Sequence, residues 1–163
     1  MERFLWICLA GAIGTGARYL IALWAAQRLG SAFPHGTLIV NLIGCFAIAA
    51  LMHAALTLGW PPTVRAAVTI GFIGGLTTYS SFNYETMRLF EEGTPAAAFV
   101  NLGLTVIGGL TAGWLGLVAA RGVLGVNVKE VVHLRQPLGN ASRASDDRGS
   151  RVDGGGYRNA DTA

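Results

Sequence analysis

The chain of 163 residues is poor in charge: Asp, Glu, Lys and Arg together make up 13% of it, whereas soluble domains carry roughly 25%. Hydrophobic residues make up 52%, and the mean hydropathy is +0.48. The composition therefore excludes an ordinary soluble domain and indicates a membrane protein. Half of the lysine and arginine residues lie in the C-terminal tail, and the basic residues form no patch with interleaved aromatic residues, so the basic isoelectric point does not predict nucleic-acid binding.

Cysteine is scarce as well. The two cysteines, Cys8 and Cys45, both lie in apolar stretches, and they lack the spacing of a disulfide framework or a metal site. The sequence shows no nucleophile–base pair and no metal-binding constellation, so we do not expect an enzyme. The first apolar stretch is long, contains Arg18 and is followed by no small-x-small cleavage site, which does not fit a cleaved signal peptide.

Four apolar stretches each exceed the roughly 20 residues that cross a bilayer. They are Phe4–Ala26, Gly36–Leu58, Arg65–Phe90 and Pro95–Ala120. Because the joints between them are short, successive helices are expected to be antiparallel neighbours. We therefore predict an all-α membrane protein, with four transmembrane helices in residues 1–121. Residues 122–163 are predicted to form a polar, disordered C-terminal tail.

The third stretch is unusually polar between residues 71 and 85. Gly74-Gly75 followed by Thr77-Thr78 makes a poor continuous helix, because each Gly costs about 1 kcal/mol relative to Ala. A break at membrane depth survives only where it is buried in protein or lines a watery path, and its freed carbonyl groups can bind a cation. The sequence therefore places the function in this segment.

Carboxylates are missing from the predicted membrane centre, since Glu85 lies near the end of its stretch. A small multidrug antiporter would need a membrane-embedded acid, so this alternative is poorly supported. The interior instead carries hydroxyl and amide donors, which suit a small dehydrated anion. These donors are Thr37, Asn41, Thr77, Thr78, Tyr79, Ser80, Ser81, Asn83, Asn101 and Thr105. A single Ser or Thr often bonds to its own helix instead, but a cluster of this size favours an anion path.

Helical spacing predicts that these donors form stripes. The predicted stripes are Thr78, Ser81, Phe82 and Glu85 in the third stretch, Thr37, Asn41 and Gly44 in the second, and Asn101, Thr105 and Gly109 in the fourth. Arg18 in the first stretch has two interpretations: it snorkels to the interface, or it contacts an ion directly.

Three motifs resemble those of a known family. They are residues 11–19 (GAIGTGARY), residues 36–46 (GTLIVNLIGCF) and the polar segment 71–85. Together, in order and on the expected helices, they are similar to the Fluc/CrcB fluoride channels over about residues 4–121. The resemblance implies a multi-pass channel in the plasma or inner membrane that lowers cytoplasmic fluoride by passive export. Such a leak is protective because hydrogen fluoride enters from acidic surroundings and dissociates inside.

The resemblance also implies a dimer of two antiparallel subunits with two pores. It implies a structural, non-transported Na⁺ ion held by the backbone carbonyls of Gly74 and Thr77. The implied fluoride path is lined by Asn41, Tyr79, Ser81, Phe82, Glu85 and Thr105. Two positions depart from the family pattern: Tyr79 stands where Phe is usual, and Asn101 stands where a fourth-helix tyrosine is usual.

The distribution of basic residues leaves the pairing open. With Arg18 and the distal tail left out, the side with both predicted termini carries Arg3, Arg65, Arg121, Lys129 and Arg135, and the opposite side carries Arg28 and Arg88. This bias favours cytoplasmic termini, whereas a dual-topology homodimer needs nearly balanced loops. The partner is therefore either a second copy or a homologue inserted the other way round. A non-conducting membrane assembly factor is a further alternative, but it would not explain a polar, broken third helix.

Overall fold

In the computed structural model, which describes residues 1–125, every regular element is helical. The α-helices are α1 (Glu2–Leu29), α2 (His35–Thr57), α3 (Pro62–Ala66), α4 (Gly74–Leu76), α5 (Tyr79–Glu91) and α6 (Pro95–Leu124). A π-helical segment, Ala67–Ile73, joins α3 to α4. The four apolar stretches are thus confirmed as helical, and the third is divided after Leu76. Helix α6 extends beyond the predicted boundary at residue 121, and the rest of the predicted tail, 126–163, lies outside the described residues.

Three of the helices are long and apolar enough to cross a membrane by themselves. They are α1 with 28 residues, α2 with 23 and α6 with 30. The third span, from α3 to α5, is interrupted, and no piece of it has that length. The chain is therefore a multi-pass membrane protein in which one span differs from the others.

The connections between helices follow from local sequence. Gly30 ends α1 with a φ of 86°, and Gly93 precedes α6 with a φ of 73°, a conformation that side chains with a Cβ rarely adopt. Pro62 and Pro95 stand in the first turns of α3 and α6, where their missing N–H groups cost no helical bond. Short, sharply ended joints of this kind bring successive spans back across the membrane.

Small residues lie where the spans cross. Helix α2 packs chiefly against α6, and α1 packs against the π-helical segment and α4. A Cβ at Gly14 would overlap the Phe72 carbonyl, and a Cβ at Gly116 would overlap that of Phe46. Close backbone contact of this type stabilises the packing of helices against each other in a membrane, where the hydrophobic effect does not drive their association.

Large apolar side chains point outward. Ile107, Leu110 and Trp114 on α6 are between 63% and 73% exposed, while the fully buried positions include Ala25 and Ala98. Soluble proteins bury their large apolar side chains, so this outward arrangement is typical of a protein surrounded by lipid. The two cysteines are free, and Cys8 lies exposed on α1 rather than packed inside the subunit.

Candidate functional site at the break in the third span

The third span leaves the helical conformation at Thr77 and Thr78. Their φ and ψ angles are −86° and 156°, and −153° and 117°, so both residues are extended. The Thr77 N–H still bonds to the Ile73 carbonyl at 3.0 Å, but the Thr78 N–H does not continue the helix to Gly74. It donates instead to the side chain of Asn41. The carbonyl groups of α4 (Gly74–Leu76) and of Thr77, which follows it, are thereby released from helical hydrogen bonding.

The side chain of Asn41 on α2 forms hydrogen bonds with both backbone groups of Thr78. Its Oδ1 accepts from the Thr78 N–H at 2.8 Å, and its Nδ2 donates to the Thr78 carbonyl at 3.0 Å. A free backbone N–H and C=O at membrane depth would each cost free energy comparable to a lost hydrogen bond. The side-chain amide therefore stabilises the break from a neighbouring helix.

Thr78 also begins α5. Its Oγ1 accepts from the Ser81 N–H at 3.2 Å, as an N-cap residue does. The same hydroxyl donates to Ser81 Oγ at 3.1 Å and lies 3.2 Å from Ser80 Oγ. Within the predicted hydroxyl cluster, Thr78 thus caps a helix, and Thr77 bonds back to the Ile73 carbonyl through its own hydroxyl at 3.0 Å.

One face of the break opens onto a groove of about 360 Å³, which we call the first groove. It is lined by Asn41, Gly44, Cys45, Ile48, Thr69, Ile73, Gly74, Thr77, Thr78, Tyr79, Phe82 and Thr105. The rings of Tyr79 and Phe82 meet there with centroids 5.7 Å apart and planes tilted by 59°. The hydroxyl oxygen of Thr105 is buried and has no hydrogen-bond partner within residues 1–125.

A second groove, of about 290 Å³, lies on the other side of Thr78. It is lined by Thr15, Arg18, Tyr19, Ala22, Gly36, Thr37, Val40, Thr78, Ser81 and Glu85. Thr37 donates its hydroxyl to Glu85 Oε1 at 2.9 Å, which joins α2 to α5. Arg18 and the Glu85 carboxylate therefore line the same groove.

The predicted third-span stripe is consequently divided between the two grooves. Ser81 and Glu85 are four residues apart and follow one row of α5, whereas Phe82 is rotated by about 100° around the helix. Thr78 precedes the helix and lines both grooves. The sequence-predicted residues Asn41, Gly74, Thr77, Tyr79, Phe82 and Thr105 are brought together, while Ser81 and Glu85 lie apart from them.

The second groove continues towards the end of α1. A cavity of about 260 Å³ there is lined by His35, Thr37, Glu85 and Arg88, among others. The Arg88 Nε lies 3.6 Å from Glu92 Oε1, one turn further along α5. Polar and charged groups thus extend from the break to this end of the third span.

Two features of the site were missed from the sequence. Thr86 is absent from the predicted donors, yet its buried hydroxyl accepts from Asn101 Nδ2 at 2.8 Å and donates to the Phe82 carbonyl at 2.7 Å. The π-helical segment ahead of the break was also not predicted. The signal for Thr86 was its spacing, four residues after Phe82, at which a Thr hydroxyl can bond back to its own helix.

Comparison with known proteins identifies relatives of the region that the structure describes. The family model described as "CrcB-like protein, Camphor Resistance (CrcB)" matches residues 5–117. A fluoride-specific ion channel FluC from a Geobacter species is 47% identical over 122 residues, covering 74% of this chain and 98% of that protein. The protein of the same name from Sorangium cellulosum is 50% identical over 122 residues, covering 74% and 96%. One from an Anaeromyxobacter species is 47% identical over 126 residues, covering 77% and 100%.

Proposed function

Because the chain belongs to the family of CrcB-like proteins, we propose that it is a fluoride-specific ion channel through which fluoride leaves the cytoplasm by passive flow. One observation carries the proposal within the structure. A break in a membrane span opens onto a groove that combines amide, hydroxyl and aromatic groups and contains no carboxylate among its lining residues. Neutral donors hold a small anion without trapping it as a full positive charge would.

The proposed fluoride path runs through the first groove. Asn41, Tyr79, Phe82 and Thr105 line it, and the tilt of the two aromatic rings lets a weakly positive ring edge face an anion. The buried Thr105 hydroxyl has a proton that no described group accepts. We assign Ser81 and Glu85, with Thr37 and Arg18, to the approach from the second groove.

The proposed structural Na⁺ ion would be held by the carbonyl groups of Gly74 and Thr77. The residues fit such an ion, because the break releases these two carbonyls from the helix and sodium prefers oxygen ligands. Gly74 is exposed on the surface of this subunit, so a second subunit can supply further carbonyls. A bound Na⁺ would add a fixed positive charge beside the break without carrying current.

The proposed assembly is an antiparallel dimer. Tyr79 is 79% exposed although it borders the first groove, and Gly74 beside it is exposed too. A partner subunit covering this face would enclose the groove and exclude lipid from its polar lining. Homodimer and heterodimer with an oppositely inserted homologue both satisfy this geometry.

The test is fluoride efflux from liposomes containing the purified chain, followed with a fluoride electrode in sodium and in sodium-free buffer. We expect efflux of fluoride without efflux of chloride, and a loss of efflux when sodium is removed. Efflux that is equal in both buffers would leave the channel assignment intact and contradict the sodium site.

The orientation of the C-terminus in cells decides the pairing. An even mixture of inside and outside orientations for the chain expressed alone would identify a homodimer. A single orientation, with efflux that appears only on co-expression of a homologue, would identify a heterodimer. No efflux in either preparation would contradict the channel function.

A further inference from the structure

We infer that Asn101 is a positioning residue for the fluoride path, and that it acts through Thr86 on Phe82. The inference rests on the proposed function, because it concerns the groove through which fluoride is proposed to cross. Asn101 does not line either groove. It lies on α6 with 1% of its surface exposed, and its side chain points at α5.

The three residues form a directed chain of hydrogen bonds. Asn101 Nδ2 donates to Thr86 Oγ1 at 2.8 Å, and the Thr86 hydroxyl donates to the Phe82 carbonyl at 2.7 Å. A hydroxyl has one proton, so its donation to Phe82 leaves its lone pairs for Asn101. Thr86 is 7% exposed and Phe82 is 5% exposed, so water does not replace a lost member of the chain.

The helical register connects this chain to the first groove. Helices α5 and α6 are antiparallel neighbours, and Asn101 on α6 meets Thr86 on α5. Phe82 lies four residues before Thr86, and Thr105 lies four residues after Asn101, so both lie about 6 Å further along the same faces. Phe82 and Thr105 line the first groove together. The bond between Asn101 and Thr86 therefore sets the separation of the Phe82 ring from the Thr105 hydroxyl.

Other contacts hold the opposite end of this helix pair. Thr94 Oγ1 donates to the Leu89 carbonyl at 2.9 Å in the connecting turn. The rings of Phe90 and Phe99 meet edge to face with centroids 5.4 Å apart. These contacts do not involve Asn101, so α5 and α6 are expected to stay packed together when it is replaced. Only the hydrogen bond between Asn101 and Thr86, nearer the first groove, is lost.

The experiment compares the full chain carrying Asn101→Leu, Thr86→Val or both, reconstituted as for the parent protein. Leucine keeps the branched shape of the buried amide, with two somewhat larger methyl groups, but cannot donate a hydrogen bond. We expect each single variant to lower fluoride efflux about tenfold and to lower the ratio of fluoride to chloride efflux. The double variant should be no worse than either single variant, because the residues act as one unit.

Two further variants serve as controls. Thr86→Ser keeps the hydroxyl and is expected to retain efflux and selectivity. Thr111→Val removes another α6 hydroxyl, which bonds to the Ile107 carbonyl at 2.8 Å on the exposed side of the helix. It is expected to leave both quantities unchanged.

The outcomes separate this inference from the channel function itself. A parent protein that shows no fluoride efflux, either alone or with a co-expressed homologue, would contradict the function before any variant is measured. If the parent conducts, fluoride efflux and selectivity that are unchanged in Asn101→Leu would overturn the inference alone. Losses of efflux that add up in the double variant would do the same. A smaller yield of assembled channel with unchanged selectivity would reduce Asn101 to a purely structural role and also overturn it. If Asn101→Leu cannot be reconstituted, a selectivity loss in Thr86→Val but not in Thr86→Ser supports the inference, and equal selectivity in those two contradicts it.

Discussion

The side-chain amide of Asn41 bonds to both backbone groups of Thr78, a residue 37 positions away in the sequence. The two distances, 2.8 Å and 3.0 Å, match those of an ordinary backbone pair. A residue on one span thus completes the backbone hydrogen bonding of another. The conformation of the break depends on α2 as much as on its own residues.

Replacing Asn41 with Leu is expected to destabilise the break. The substitution leaves the Thr78 N–H and carbonyl without partners, at a cost of about 1–3 kcal/mol for each group that stays buried. We expect a lower unfolding temperature in detergent and loss of fluoride efflux. Asn83→Leu is the matched control, because Asn83 lies exposed on α5; an equal loss in that variant would show that the effect is not specific to the break.

Gly44→Ala tests the contact between α2 and the break. A Cβ at Gly44 would overlap the Cγ2 methyl of Thr77, so either α2 or the extended segment must move. We expect strongly reduced efflux, with helix content by circular dichroism unchanged. Gly122→Ala, at a position where a Cβ meets no atom within 4 Å, is expected to conduct normally. Normal efflux in Gly44→Ala would show that the break tolerates displacement.

Thr77→Val separates the carbonyl of Thr77 from its hydroxyl. The hydroxyl donates to the Ile73 carbonyl at 3.0 Å, so it is already engaged within its own helix. Valine keeps the branched shape and the carbonyl. The sodium concentration for half-maximal efflux is therefore expected to change by no more than about threefold, the effect of one ordinary hydrogen bond. A variant that no longer responds to sodium would instead assign the hydroxyl as a ligand.

Tyr79→Phe tests the hydroxyl that departs from the family pattern. The ring edge towards Phe82 is kept, so we expect efflux and fluoride selectivity within about twofold of the parent, less than one hydrogen bond would contribute. Tyr79→Leu removes the aromatic edge and is expected to lower fluoride efflux clearly more than Phe does. If Tyr79→Phe and Tyr79→Leu reduce fluoride efflux equally, the hydroxyl of Tyr79 rather than its ring contacts the anion.

Much of the fold follows from the sequence, because crossing a bilayer leaves few alternatives. Helices α1, α2 and α6 are long apolar runs, each with a Gly or Pro at one end or both, and their bounds lie within a few residues of the predicted ones. The interruption of the third span was also predictable, since Gly and Thr pairs disfavour a continuous helix. Within the predicted segment, Gly74-Gly75 stays helical and the chain becomes extended at Thr77-Thr78, a detail that the sequence pattern does not decide.

The pairing of side chains could not be predicted from spacing alone. The sequence predicts Thr37 as an interior donor and Glu85 as a carboxylate near the end of its stretch, but their hydrogen bond depends on how α2 crosses α5. The partition of Ser81 and Phe82 between two grooves depends in the same way on the neighbours of α5. Periodicity places residues on one helix, whereas the crossing of helices decides what each face meets.

The interruption of the third span has a consequence for biogenesis. The three continuous helices are apolar enough to enter the bilayer one at a time, but the residues of α5 include Ser80, Asn83 and Glu85. By itself, this segment is expected to move poorly from the translocon into the bilayer. Its insertion is expected to be efficient only when α2 is already in the bilayer and Asn41 can bond to Thr78. Glycosylation mapping of nascent chains with and without residues 35–57 would measure that dependence. Formation of the site therefore depends on the order of synthesis, in which α2 precedes the third span.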